Sequence, residues 1–158
     1  MSWQDPVFNR TEADVLKARQ MANKIKKRGY DNLLDNDKEE YLSEMIGAFS
    51  YLTANRIEGN TEYLYKIAKE LEYVSSTMTF KTWAVSGVMY QTDIERLKTY
   101  INTLATGAGT KKDLPATMTM QYEKINQLER TIYYLYLFLQ GTLDSYRYSG
   151  DVYSGDIY

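Results

Sequence analysis

Residues 132–139 read IYYLYLFL, eight apolar or aromatic side chains in a row. On a helix they would cover every side, and a helix that is apolar all round is a buried one. Just upstream the apolar positions thin into a seam. Ile125, Leu128, Ile132, Leu135 and Leu139 step by three and four residues, the spacing of packed helices. A helix from about residue 119 to 145 follows. It lies either at the centre of the chain's own bundle, the default, or against other copies, which makes these five residues an alternative oligomer seam. The 16 tyrosines favour the second arrangement, because tyrosine joins a large apolar ring to a polar tip and suits interfaces.

Working outward, the rest of the chain is also helical in pattern. Thr11 with Asp14 forms a capping box that opens a helix to about Arg28, with Val15, Ala18, Ala22 and Ile25 on one face. Lys24, Lys26, Lys27 and Arg28 fall in its last turns, where cations suit the helix dipole, and Gly29 ends it. A second helix is expected from about residue 36, with Leu42, Met45, Ile46 and Phe49 inward. A third, about 53–73, places Ile57, Leu64, Ile67, Ala68 and Leu71 inward. Residues 74–91 carry no helical stripe and read as an irregular or hairpin-like connector. Thr92 with Glu95 spells another capping box, ahead of Ile94, Leu97, Ile101 and Leu104. The stretch 105–115 reads as a loop from its glycine and proline. The expected fold class is therefore all-α, a bundle of about five helices with an extended C-terminal tail.

Composition narrows the chemistry. The chain has 158 residues, 44% hydrophobic and 25% charged, with a formal net charge of -2. That suits one globular domain and supplies no global field for nucleic acid or an anionic membrane. There is no cysteine and no histidine. Disulfide frameworks, thiolate nucleophiles, serine–histidine hydrolysis and histidine-based zinc sites are thereby ruled out. Two tempting motifs fail on spacing. DNDKEE at 35–40 lacks the glycine and closing acid of a calcium loop, and GAGTKK at 107–112 lacks the spacing of a phosphate-binding loop. No catalytic residue, cofactor or metal is expected. A pair of acids serving a glycoside hydrolase remains formally open, as does an intracellular helical adaptor. No signal-peptide pattern or membrane-length apolar run is seen, so synthesis and assembly in a bacterial cytoplasm without membrane insertion are expected.

A faint duplication runs through the chain. Trp3 precedes Thr11 and Trp83 precedes Thr92 by similar distances, and each threonine is followed five positions later by Leu-Lys. Two similar helical units, about 1–73 and 80–146, would make up a helical domain of residues 1–146. Residues 147–158 would form the tail.

Four stretches occur in a fixed order: NRTEADVLKAR, LTANRIEGNTEYLYKIA, TWAVSGVMYQTDIERLKTYINTL and the closing YSGDVYSGDIY. Together they resemble small structural proteins encoded in the tail and baseplate gene region of phages and prophages of Firmicutes, whose corresponding segments look like RTxxDV, DLNRIExNxxYL and a terminal YSGE repeat. This chain departs in having Thr53-Ala54-Asn55, Gln91 before Thr92, and Asp151 and Asp156 in the repeat. The resemblance implies a virion component, with other tail or baseplate proteins as partners and a homo-oligomer in the assembly. It carries over no catalytic residue.

The tail itself reads as a docking strip. In an extended form, Tyr148, Tyr153 and Tyr158 would fill pockets on a partner, Val152 and Ile157 would add apolar contact, and Gly150 and Gly155 would permit close backbone approach. The alternative is a carbohydrate- or cell-wall-binding accessory role, in which Trp3, Trp83 and the tail tyrosines stack on sugars.

Overall fold

A computed structural model describes residues 2–43 and 45–155, and from residue 147 onward the backbone alone. The element order is α1 (Glu12–Arg28), a 3-10 turn (Tyr30–Asn32), α2 (Asp35–Leu42), α3 (Tyr51–Glu70), α4 (Gln91–Ala108) and α5 (Tyr122–Gly155). Among the described residues there is no strand, so the connector 74–90 is irregular and not a hairpin.

The core is the three-helix bundle α3–α4–α5, each helix packed on the other two. Its interior holds Ile57 and Leu64 from α3, Ile94, Leu97, Ile101 and Leu104 from α4, and Ile125, Leu128, Ile132, Leu135 and Leu139 from α5. Burying each such side chain contributes about 1.5–3 kcal/mol before chain entropy is counted. The α5 seam is fully used inside one chain, which withdraws the five residues as an oligomer seam. The stretch 132–139 is not buried all round either: Leu137 and Phe138 remain exposed on its outer side. On that side the Tyr73 ring packs against Phe138, 6.4 Å between centroids.

Local signals set most boundaries. Thr11 caps α1 as expected: Asp14 Oδ2 accepts the Thr11 amide at 2.8 Å and Thr11 Oγ1 accepts the Asp14 amide at 3.4 Å. At α4 the expected box is not used. The helix starts two residues earlier, with Tyr90 as N-cap and its amide held by Asp93 Oδ2 at 3.1 Å. Glu95 turns away to accept the Met118 amide at 2.6 Å. The helix also runs past residue 105 to Ala108, closing on Gly109 at φ 71°. Gly107 lies where α4 meets the chain leaving α3, and a Cβ there would overlap the Tyr73 carbonyl.

Two further expectations are corrected. The second helix ends at Leu42, so Met45, Ile46 and Phe49 lie in the turn beyond it, half-buried, while Leu42 is exposed. On α1, Val15, Ala18 and Ile25 are only half-buried and Ala22 is exposed, with Met21 as the one buried residue. Both differences have one cause. The α1–α2 pair forms an arm beside the bundle and is not a layer of it. At the other end, α5 continues to Gly155, so the backbone of residues 147–155 is helical and not extended. No proline interrupts its hydrogen-bond ladder.

Replacing Gly107 by alanine should cost about 1–3 kcal/mol, because the new methyl meets backbone that cannot move without shifting α3 against α4. Gly141, with open space around it on α5, should gain about 0.5–1 kcal/mol from the same change. Denaturant midpoints of the two variants would show opposite signs.

Candidate interaction surface

The chemistry of this molecule concentrates in the segment NRIEGN, residues 55–60 on α3. Extended segments 2–10, 74–90 and 110–121 wrap the bundle without forming a sheet, so their amides and carbonyls need other partners. Helix side chains provide them. Asn60 takes both polar groups of Gln4, accepting its amide at 2.9 Å and donating to its carbonyl at 2.7 Å. Asn55 holds Trp83 the same way, both contacts at 2.8 Å. On α5, Asn126 holds Arg10, at 3.3 Å and 2.9 Å. The pattern extends to mixed pairs: Glu95 and Gln91 share Met118, while Tyr100 and Arg96 share Thr79.

Beside two of the three asparagines, one helical turn on, sits a fully buried glutamate. Glu58 accepts from the Lys81 amide at 2.9 Å, the Trp83 indole at 3.2 Å and Arg96 at 2.9 Å. Glu129 lies between two buried guanidiniums, Arg10 at 2.6 Å and Arg56 at 2.7 Å. Arg10 Nε also donates to the Ile46 carbonyl at 2.8 Å, tying the turn after α2 to the bundle. Around the same joint Gly47 approaches the α1 backbone so closely that a Cβ would overlap the Asp14 carbonyl.

The repeated unit is thus Asn-x-x-Glu, at 55–58 and at 126–129. It is a duplication unlike the one suggested by Trp3 and Trp83. Asn55, Asn60, Asn126, Glu58 and Glu129 belong to no local cap or motif that would mark them as site residues. A signal was present: asparagines and acids at inward positions of apolar helices, where such residues are costly unless paired.

Both tryptophans are committed internally. The Trp3 ring stacks on Tyr136 with centroids 3.8 Å apart, and Trp83 is held by Asn55 and Glu58. The strip residues Tyr148, Gly150, Val152, Tyr153 and Gly155 belong to the stretch whose backbone alone is described, and Ile157 and Tyr158 lie outside the described residues. Among the described residues no group of three or more acids converges as a metal site, and no helix is long and apolar enough to cross a membrane.

Several large apolar side chains also stand open to partners. Leu34 and Leu42 flank the outer side of α2, 67% and 70% exposed, with Tyr41 between them in sequence. On the connector, Val85, Val88 and Tyr90 are exposed by 77%, 63% and 66%. Two hollows open on the surface, only the smaller of them lined by connector residues. One, of about 520 Å³, opens between α1, the turn at 46–49 and the start of α5, with Leu16, Ile46, Phe49 and Met120 in its wall. The other, of about 410 Å³, lies under the connector against Trp83 and Met89, and shares Phe49 and Met120 with the first.

No protein-family model, curated protein or solved structure matches this chain.

Two measurements check the polar framework. Glu129→Gln leaves two buried guanidiniums without a counter-charge and should cost about 3–5 kcal/mol in denaturant unfolding. At Asp93, burial pushes the carboxyl up, but hydrogen bonds from Lys81 Nζ at 2.5 Å and the Tyr90 amide outweigh it and hold the group below its ordinary 3.8. A carboxyl lowered by folding contributes stability above 3.8, and that contribution is lost as pH falls through 3.8 and on through the lower native value. Lys81 is half exposed, so the contribution should be about 0.2–1 kcal/mol. Asp93→Asn should therefore reduce stability at pH 7 and make the acid limb below pH 4 shallower.

Proposed function

We propose that this chain is a non-enzymatic structural component of a phage tail or tail-like particle, acting in the baseplate or fibre-attachment region. One observation carries the reading beyond the sequence resemblance. The bundle closes its own core, yet large apolar side chains stand outside it on α2, on the connector and on α5. Surfaces of that kind suit burial against neighbours in an assembly. The partners on this reading are further copies of the chain and other tail or baseplate proteins, in the virion. The YSGD repeat is proposed as the docking strip toward one of them.

The resemblance and the structure converge on one motif. NRIEGN, part of the stretch that resembles tail-region proteins, is the segment whose side chains hold the wrapped chain in place. A family built on this frame would need it whatever its members attach to.

The test is to induce particles from the bacterium encoding the chain, purify them by density gradient and quantify its peptides by mass spectrometry. The expected outcome is co-sedimentation in fixed ratio to the tail proteins. Absence from intact particles while the protein is abundant in the lysate would reject the proposal.

A further inference from the structure

One buried guanidinium in the wall of the larger hollow has donors that nothing in the chain accepts. We propose that this hollow is a binding site for a small zwitterion, a free carboxylate and a free ammonium on an apolar body, as an amino acid or short peptide carries. The site goes beyond the particle role proposed above and does not depend on it.

The Arg10 side chain is only 3% exposed. Its Nε donates to the Ile46 carbonyl, and its Nη1 is taken up by the Val7 carbonyl, Asn126 and Glu129. Its Nη2 is buried and has no acceptor. Two N–H groups of a charged side chain are left unanswered, which native interiors rarely tolerate without a reason. Arg96 Nε and Thr110 Oγ1 also lack partners, but neither residue lines either hollow. Arg10 does line the larger one, which has about 520 Å³ of space. The acceptor that best answers a guanidinium is a carboxylate, because charge strengthens the hydrogen bond.

A simple anion would leave the rest of the wall unanswered. The charged lining is Arg10 and Arg19 against Glu12 and Glu123, two of each sign. The two acids act on one point: Tyr122 is held above its ordinary 10.0 by desolvation, then by Glu123, then by Glu12. Depth separates the signs further. Arg10 is buried at the back, whereas Glu12 and Glu123 are exposed at the mouth. A carboxylate reaching inward to Arg10 and an ammonium held outward near the two glutamates matches that order. Leu16, Ile46, Phe49 and Met120 supply the apolar wall for the body between or beside them.

The test is an NMR titration of the full-length chain with four probes. Two are zwitterions, L-phenylalanine and glycyl-L-phenylalanine. The others each lack one charge: 3-phenylpropionate has no ammonium and phenethylamine no carboxylate. At least one zwitterion should bind at least about tenfold more tightly than either single-charge probe, and the better of the two tells a free amino acid from a peptide end. Glu12→Gln with Glu123→Gln, both at exposed positions, should erase the advantage over 3-phenylpropionate. Arg10→Lys keeps a charge beside Glu129 and removes Nη2, and should weaken both carboxylate-bearing classes at least about tenfold. Where its melting curve shows that variant unfolded, the Arg10 guanidinium resonances of the unaltered chain decide, and they should shift on saturation. Binding by neither zwitterion, no preference over the single-charge probes, or saturation that leaves those resonances unmoved would overturn the proposal. None of these outcomes touches the gradient experiment, which reads association with particles and not occupancy of this hollow.

Discussion

One carboxylate holds the layout together. Glu129 sits in the interior of α5 with a guanidinium from the N-terminal segment on one side and one from α3 on the other. A buried charge is costly in isolation, so the native arrangement is the one in which all three groups meet. That requirement brings residue 10, residue 56 and residue 129 to one point. It thereby sets where the N-terminal segment crosses the bundle before Thr11 starts α1. The second glutamate, Glu58, does the same for the connector, gathering Lys81, Trp83 and Arg96.

The asparagines solve the companion problem. Segments that wrap helices have no neighbouring strand, and an unpaired buried amide costs about as much as a lost hydrogen bond. An asparagine side chain carries an amide oxygen that accepts and an NH2 that donates, so it can answer both the N–H and the C=O of one residue. Placed on a helix, it can stand in for the missing strand one residue at a time. Asn55, Asn60 and Asn126 do this for Trp83, Gln4 and Arg10. The result is a molecule whose wrapped segments are fastened at points, with free turns between them. The connector turn at 84–87 lies between two such points, closed by its own Gly87–Ala84 hydrogen bond with Val85 exposed.

The closed bundle and the open arm divide the work. The interior of α3, α4 and α5 joins an apolar cluster to buried charges that are paired within the chain. The α1–α2 arm has little interior of its own, with Met21 and Leu33 buried and Leu16, Leu34, Tyr41 and Leu42 outside. The proposed role as an assembly component would draw on this combination of a finished core and apolar outer side chains.

The sequence by itself determined the helices of the bundle and their inward faces. Ile57, Leu64, Ile94, Leu97, Ile101, Leu104 and the α5 seam could be read from spacing, because helical period and burial follow from side chains three and four apart. The Thr11 box was legible for the same reason, being local. What the tertiary structure alone decided lies at long sequence separation. Whether the α5 seam faced its own chain or another depended on α3 and α4 arriving to cover it. Whether Glu95 capped its own helix depended on Met118, 23 residues away, offering an amide. The pairing of Arg10 with Glu129 spans most of the chain. Such partners are chosen by which buried polar groups come within reach after packing, and no local pattern records that choice.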